Sequence, residues 1–422
     1  MIPTTLATEA KQVKGSRTGE TTSTACSRDI EVGLLTGCQD RPYVYGLAGA
    51  LSSHGAALDV VASDDLDGPE MRSTPSLRFL SLRKGRRSEG SLAKKASEVL
   101  VYYARLIRYA AQADAKILHI LWNNKFDSFD RTLLMFYYKA LGKKIAFTAH
   151  NVNAGVRDSN DSLVNRLTLK AQYRLSDHIF IHTEKMKQEL VEGFGVSEED
   201  ATVIPFGINN SIPDTDLTPE GARRRLGIGS DDKTLLFFGN IGPYKGLEYL
   251  VAAFREVLAR DPNVRLIIAG KLRGGAEQYA GEILQTIQRE IPPGRVIQRI
   301  EFIPDEETEI YFKAADVFVL PYKFVSQSGV LFLGHSFGVP AIATDVGSLR
   351  DEIIEGRTGF VCRPCDSASL ADTIERYFAS DLYKNLTIRR SEIRGHANEH
   401  HSWDVVAERT LQVYDRLLGR QS

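Results

Sequence analysis

Two glycine-rich turns carry residue types that could hold a phosphate group. The first, FFGNIGPYKG at residues 237–246, ends an apolar run, and Lys245 stands just before the helical pattern LEYLVAAF. Backbone N–H groups in such a turn can cradle an anion, and a lysine adds a point charge. The spacing is not that of a Walker A loop, since no Ser or Thr follows Lys245. The turn with Gly239, Asn240 and Lys245 therefore predicts a phosphate contact, with a merely solvated lysine as the alternative.

The second turn is SQSG, which leads from the apolar run VFVLPY into a predicted helix over residues 329–337. Gly338 and Pro340 are typical of the end of such a helix. The first turn of a helix has free N–H groups and a partial positive charge, which together favour an anion. Ser328 and Gly329 leave room for an anion to reach the backbone. The alternative is a tight strand-to-helix turn in front of a buried helix.

A third candidate is His150 in AFTAHNVNAG, residues 146–155. It stands at the carboxyl end of a predicted strand, where a polar side chain points into the cleft of a parallel α/β domain. A structural histidine whose hydrogen bonds are satisfied within the fold is the other interpretation. His182 in IFIHTEKM also ends a predicted strand, with weaker support.

Short apolar runs alternate with longer amphipathic ones from Asp29 onward, which predicts parallel sheets with crossover helices. The segment INNSIPDTDLTPEGARRRLGIGSDDK interrupts this alternation and contains a helix start at Thr218 and Pro219. A second series of apolar runs extends from TLLFFGNIG to GFVC. Asp305, just before EETEIYFKAA, fits a helix N-cap, and capping explains the acidic cluster there without any chemistry.

These patterns predict an α/β fold of two Rossmann-like, doubly wound domains that face each other across a cleft. We expect a disordered tail over residues 1–28, a first domain over 29–210 and a second domain over 211–402. A final amphipathic helix over 403–419 has no strand to pair with. Ligands of doubly wound sheets bind beyond the carboxyl ends of the strands, so we expect the site between the domains.

The composition argues against several classes of function. The 422 residues are 43% hydrophobic and 25% charged, as in soluble globular proteins of more than one domain. A formal net charge of −1 argues against nucleic-acid binding. No apolar run reaches the roughly 18 residues that span a bilayer, and the first residues lack the apolar core of a secretory signal, so we expect a cytoplasmic protein. Cys362 and Cys365 form a single CxxC, which cannot complete four zinc ligands, so we interpret it as coincidental.

The basic loop SLRKGRRSEG has its positive charges within residues 83–87. Such a loop could contact anionic lipid at the inner membrane face or a phosphorylated acceptor. A solvated surface loop explains the same charges.

Taken together and in this order, the segments resemble the nucleotide-sugar-dependent glycosyltransferases of the GT-B fold, specifically family 4 (group 1). The similarity extends over nearly the whole chain after the tail. Its segments are AFTAHN, HTEKMKQEL, VIPFGI, FFGNIGPYKGLEYLVAAF, YFKAADVFVLPY, GVPAIATDVGSLRDEI, GRTGFV and SWDVVA. The resemblance implies that the second domain holds a nucleoside diphosphate, that the first holds the acceptor, and that the final helix crosses back onto the first domain.

By position, the resemblance also implies roles for the candidate residues. Lys245 would contact the diphosphate of the donor, and His150 would lie beside the transferred sugar. The backbone at Ser328, Gly329 and Val330 would cradle the phosphates.

Three positions depart from the family pattern. Asn240 stands where an arginine is usual, and Val325 and Leu333 stand where the family has the two glutamates of its E-x7-E motif. The chain thus looks like a variant with SQSG in this region. Ser326 and Gln327 are the nearest polar candidates for contacts with the ribose and sugar hydroxyls.

We therefore expect transfer of a hexose from a nucleotide diphosphate sugar to a hydroxyl acceptor, in glycan or polysaccharide synthesis. The acceptor could be a glycan, a lipid-linked sugar or a small metabolite. No Asp-x-Asp metal motif stands out among these segments, so we expect no metal and no cofactor, with the lysine and the helix dipole in place of a divalent ion. Retention of the anomeric configuration is implied by the resemblance alone. The alternatives are a silent nucleotide-sugar-binding protein, suggested by the missing glutamates, and a nucleotide-sugar epimerase.

Overall fold

The first domain is built on a seven-stranded parallel sheet. This computed structural model describes residues 30–74, 76–84, 92–157, 161–208 and 212–420, so the expected tail over 1–28 lies outside the described residues. The strand order is β3-β2-β1-β4-β5-β6-β7. The strands are β1 Glu31–Leu35, β2 Ala57–Ser63, β3 Leu77–Arg83, β4 Ile117–Ile120, β5 Lys144–Thr148, β6 His178–Ile181 and β7 Ala201–Val203.

Helices connect these strands and cover both faces of the sheet. They are α1 Arg41–Ser53, α2 Pro69–Ser73, α3 Leu92–Gln112, α4 Asp127–Phe129, α5 Met135–Ala140, α6 Ala154–Arg157, α7 Leu163–Leu175 and α8 Glu184–Phe194. The four residues of β4 and of β6 are all buried, as expected for parallel strands that have helices on both sides.

The second domain repeats this plan with a six-stranded parallel sheet in the order β10-β9-β8-β11-β12-β13. Its strands are β8 Lys233–Phe238, β9 Val264–Ala269, β10 Val296–Arg299, β11 Val317–Leu320, β12 Ala341–Thr344 and β13 Gly359–Cys362. The remaining helices are α9 Pro219–Arg225, α10 Leu247–Arg260, α11 Glu277–Glu290, α12 Asp305–Ala314, α13 Gly329–Ser336, α14 Ser367–Ala379, α15 Asp381–Lys384, α16 Leu386–His401 and α17 Trp403–Leu417. The predicted pair of doubly wound α/β domains is therefore confirmed.

The last helix, α17, packs against α1 of the first domain. Val406 and Leu411 of α17 are fully buried in the same apolar cluster as Leu47 of α1. Trp403 occupies a slot whose walls are two glycines, and its Nε1–H donates to the Ile208 carbonyl at 2.7 Å. A Cβ on Gly46 would lie 2.0 Å from the Trp403 indole, and one on Gly207 would lie 2.5 Å from it. The absence of a side chain at these two positions is what admits the indole.

The structure differs from the sequence-based expectations at a few elements. Strand β3 and helix α3 were not predicted, and Arg83 of the basic loop is the last residue of β3. Residues 85–87 of that loop lie outside the described residues. Asp305 is the first residue of α12 rather than its N-cap, which is Pro304, so its carboxylate contributes only a charge near the positive end of the helix. Thr218 caps α9 as predicted, since its hydroxyl accepts from the Gly221 N–H.

Candidate active site

An open cleft with a cavity volume of about 490 Å³ lies between the two domains, at the carboxyl ends of both sheets. Parallel strands place their following loops on one edge, so the two edges together form its walls. Eight of the nine predicted site residues line this cleft: His150, Asn240, Lys245, Ser326, Gln327, Ser328, Gly329 and Val330. Gly239, the ninth, lies directly behind the wall, where an added Cβ would be 3.3 Å from the Val330 side chain.

Helix α13 begins at this cleft with its first turn facing the opening. Ser328 is the N-cap residue, and its hydroxyl makes no capping hydrogen bond. It contacts the Tyr322 hydroxyl at 3.3 Å instead. Gly329 is exposed, and the atom nearest to an added Cβ is 3.6 Å away on Phe206. The first N–H groups of α13 therefore meet the cleft with little side chain in front of them, which suits an anion.

Lys245 is a buried lysine at the end of the short turn that follows β8. It is 7% exposed, and its Nζ donates to the Tyr322 hydroxyl at 2.5 Å while lying 3.8 Å from the centre of the same ring. Among the described residues, no carboxylate forms an ion pair with it. Because burial penalises the charged form, the pKa of Lys245 falls from its ordinary value of 10.5 to about 7. An ammonium held in this way lacks an anionic partner, and a phosphate in the cleft would supply one.

The backbone after Lys245 explains the position of the lysine. Gly246 has a φ of 64°, and an added Cβ would lie 2.0 Å from the Pro321 carbonyl oxygen. The chain after β8 therefore presses directly onto the chain after β11, the neighbouring strand in the sheet. This contact places Lys245 over Tyr322.

His150 follows β5 and lies in an aromatic box within the first domain. The Trp122 ring stacks on the imidazole at 4.1 Å with an interplanar angle of 8°, and the Tyr43 ring meets it edge-on at 4.8 Å. Its Nδ1 is 3.1 Å from Nε2 of His182. Burial, then the neighbouring rings of His182 and His119, lower the pKa of His150 well below 6.5, so the imidazole is neutral near pH 7.

The loop before α13 offers unpartnered polar atoms as well as apolar surface. The side-chain Nε2 and Oε1 of Gln327 are buried and have no hydrogen-bond partner among the described residues. The Ser326 carbonyl accepts from the Ser348 N–H at 3.1 Å, which ties the loop to the chain after β12. Val325 and Leu333 line the cleft where the resembled family has glutamates.

Sequence reasoning missed several residues that shape the site: Tyr43, Trp122, Phe206, Tyr244 and Tyr322. A signal existed for two of them. Trp122 comes two residues after β4, and Tyr322 two residues after β11, at the ends of buried strands where His150 had been recognised. His182, predicted with weaker support, contacts His150 directly.

Outside the cleft, the described residues give no sign of a metal centre or of a membrane-spanning helix. Within these ranges, no group of three or more His, Cys, Asp or Glu side chains could hold a metal ion, and no helix is both long and apolar enough to cross a bilayer. The sequence does contain two Asp-x-Asp patterns, Asp65 to Asp67 and Asp214 to Asp216. In the first, Asp67 pairs with the exposed Arg72, and in the second, Asp214 pairs with Lys313 and Arg394. Cys362 and Cys365 are both free thiols, one buried and one exposed.

Two facing doubly wound sheets with a cleft at their carboxyl edges define a GT-B type of α/β protein. The family described as "Glycosyltransferase Family 4" matches residues 42–211, and the family "Glycosyl transferases group 1" matches residues 220–392. Together they account for most of both domains. The chain belongs to the group 1 glycosyltransferases and is an enzyme of that class.

Curated relatives agree with this assignment, and solved structures share the fold. The D-inositol 3-phosphate glycosyltransferase of Corynebacterium jeikeium is 24% identical over 386 residues, which cover 89% of this chain and 91% of the relative. That of Corynebacterium aurimucosum is 25% identical over 64% of this chain and 65% of its own length. Sucrose-phosphate synthase from Thermosynechococcus elongatus has a TM-score of 0.72 at 19% identity, covering 93% of this chain and all of that one. HepE from Anabaena, solved with UDP, has a TM-score of 0.71 at 16% identity, covering 92% of this chain and all of HepE.

Proposed function

We propose that this enzyme transfers a hexose from a nucleotide diphosphate sugar to a hydroxyl acceptor, without a metal ion and with retention of the anomeric configuration. The observation that carries the proposal is the buried Lys245 ammonium, which Tyr322 joins to Ser328 at the start of α13. A cation and a row of N–H groups on one wall of the cleft suit a diphosphate. Retention follows from the family resemblance and from no geometric feature.

Charge accumulates on the diphosphate as the bond from the anomeric carbon to its oxygen breaks. Lys245 and the first turn of α13 would stabilise that charge as fixed groups in a cleft with restricted water. A metal ion often serves this purpose, and the lysine with the helix dipole would take its place here. Asn240 stands in the same wall but carries no charge, so the electrostatic task falls mainly on Lys245.

The remaining lining residues suit a sugar. His150 is neutral and held flat by Trp122, so it can hydrogen-bond a hydroxyl without attracting the phosphates. The amide of Gln327 can both donate to and accept from hydroxyl groups. We assign it, together with Ser326, to the ribose and sugar hydroxyls that the missing glutamates would otherwise contact.

UDP is the first nucleotide to test, because HepE was solved with UDP and with UDP-glucose. ADP is the second, because a starch synthase from Arabidopsis with a TM-score of 0.70 was solved with ADP. A bound nucleotide raises the melting temperature by mass action, so a thermal-shift screen of the full chain needs no acceptor. If neither these nor guanosine nucleotides shift the melting temperature, the proposed donor class is wrong.

The decisive variant is Lys245→Met, which keeps the length of the side chain and removes its charge. Loss of a charge-assisted hydrogen bond costs about 1.5–3 kcal/mol, so we expect roughly 10- to 100-fold weaker UDP binding by calorimetry, and at least as large a fall in transfer rate. Lys116→Met, the same change at an exposed lysine before β4, is the matched control and should alter neither. Equal UDP affinity in the Lys245→Met protein would contradict the proposal.

Incubation with the sugar nucleotide alone separates the other two candidate functions. A new sugar nucleotide that forms without any acceptor would indicate an epimerase. Tight donor binding with no turnover across a broad panel of acceptors would indicate a nucleotide-sugar-binding protein that has no catalytic activity. Contact of the basic loop with lipid stays a prediction, which binding to vesicles of anionic lipid would test.

A further inference from the structure

His182 is a buried histidine that the mechanism above does not use, although it contacts His150 directly. It is 3% exposed at the end of β6, next to the strand that His150 follows. Its Nε2 is 3.1 Å from Nδ1 of His150, and its own Nδ1 is 3.3 Å from the Ile204 carbonyl oxygen. The three groups form a chain that leads from the backbone of the first domain to the cleft.

The chemistry at the start of this chain determines where its protons lie. A carbonyl oxygen can only accept, so the His182 nitrogen that faces Ile204 must carry a proton. Burial lowers the pKa of His182 to about 4 and is the main cause of the low pKa of His150, so each ring carries a single proton near pH 7. Nε2 of His182 then carries no proton, and its lone pair accepts from Nδ1–H of His150.

The far end of the chain is Nε2 of His150, which this arrangement leaves without a proton. That nitrogen is buried and has no hydrogen-bond partner among the described residues, and His150 lines the cleft. A lone pair there accepts from a hydroxyl group. It cannot bond to an ionised phosphate oxygen, which also only accepts.

We infer that His182 is a positioning residue, which holds the proton of His150 on Nδ1 and so presents Nε2 as an acceptor for a hydroxyl of the donor sugar. This inference rests on the proposed function for its ligand, and on the histidine contacts alone for its protons. The stacked Trp122 ring and the edge of Tyr43 fix the plane of the imidazole, and His182 fixes which of its nitrogens can accept.

One neighbouring group competes with this arrangement. The Leu121 carbonyl lies close enough to the His150 ring to favour a protonated nitrogen. If Nε2 donated to that carbonyl, Nδ1 would be the unprotonated nitrogen, and His182 would have to donate to it. The two arrangements differ in the position of one proton, which nuclear magnetic resonance can locate.

The first experiment measures the tautomer in the full chain without any nucleotide. With ¹⁵N-labelled histidine, long-range ¹H–¹⁵N spectra distinguish the protonated from the unprotonated ring nitrogen, and His150→Gln identifies the His150 signals by their loss. We expect a proton on Nδ1 and none on Nε2, and a change in that pattern in His182→Phe, which keeps the aromatic contacts. A proton on Nε2 of His150 in the wild type, or an unchanged pattern in His182→Phe, would overturn the inference.

The second experiment compares UDP-glucose with UDP by calorimetry, and so isolates the sugar. We expect His182→Phe to bind UDP with the affinity of the wild type. The ratio of its affinity for UDP-glucose to its affinity for UDP should be about 5- to 10-fold lower than the same ratio in the wild type. His182→Gln should restore part of that gain, because its amide oxygen can accept from Nδ1–H. His178→Phe, the same change at the other end of β6, is the control for a general loss of stability and should leave the gain intact.

The two experiments separate this inference from the proposed function. If neither nucleotide binds, the donor class is wrong, and the spectra still decide whether His182 sets the tautomer. Another outcome is that UDP-glucose binds more tightly than UDP by the same factor in the wild type and in His182→Phe. In that case the sugar contact through His150 is wrong while the donor class stands.

Discussion

Burial of the charged form of Lys245 destabilises the fold, and unfolding experiments can measure this effect without any ligand. The pKa of Lys245 is about 7 in the fold against 10.5 ordinarily, so between these pH values the unfolded chain binds a proton that the folded chain does not. The free energy of unfolding therefore rises with pH across that window, by about 1.4 kcal/mol per pH unit. Below pH 7 the lysine is charged in both states, so the whole penalty for burying its charge lowers the stability.

Lys245→Met should thus be more stable than the wild type at pH 7, and the difference should shrink as the pH approaches 10. Urea unfolding at pH 7, 8 and 9 measures this difference, with Lys116→Met, the same change at an exposed lysine, as the control. A Lys245→Met protein that is less stable than the wild type at pH 7 would mean that the lysine is satisfied in the fold.

Individual site residues were predictable where they follow a strand, and their partners were not. The sequence shows that Lys245 follows one apolar run and Tyr322 another, but it does not show that β8 and β11 are neighbours in the sheet. In the same way, Trp122, His150 and His182 follow β4, β5 and β6, and only the strand order brings the three rings together. A chemical role can be proposed from residue types, whereas the hydrogen bonds depend on sheet topology.

At the scale of elements, the packing of α17 depends on the two glycines beside Trp403. Gly46→Ala would place a methyl group 2.0 Å from the indole, and such overpacking costs typically about 1–3 kcal/mol. Gly49→Ala is a matched control on the same helix, because nothing lies within 4 Å of its added Cβ. It should be neutral or stabilise α1 by up to about 1 kcal/mol. Equal unfolding free energies for the two variants would show that the slot around Trp403 can accommodate a methyl group at position 46.

Strands with continuous apolar runs were predicted correctly, and the strand that was missed lacks such a run. In β3 no residue is fully buried, and its sequence LRFLSLR mixes apolar side chains with two arginines and a serine. A sheet edge pairs on one side only, so it can tolerate exposed arginines that a central strand could not. The position of α13 was predictable from its glycine and proline signals, and the helix indeed runs from Gly329 to Ser336.

For the whole molecule, a ligand that contacts both walls of the cleft should draw the domains together. The two domains touch directly near residue 206, where the Phe206 and Phe332 rings stack at 5.7 Å and the Ile208 N–H donates to the His401 carbonyl. We expect saturating UDP-glucose to lower the radius of gyration in X-ray scattering, and Lys245→Met to show no such change at the same concentration. A wild type with an unchanged radius, despite calorimetric evidence of saturation, would mean that donor binding does not draw the domains together.

The return of α17 to the first domain also orders events during synthesis on the ribosome. The apolar face of α1 that receives Val406 and Leu411 is translated more than three hundred residues before its cover. Until the final helix emerges from the exit tunnel, that face stays open to water and to chaperones, and Trp403 cannot fill its slot. The first domain is thus begun before the second and completed after it, so a nascent chain cannot assemble a working cleft before residues 403–417 have been translated.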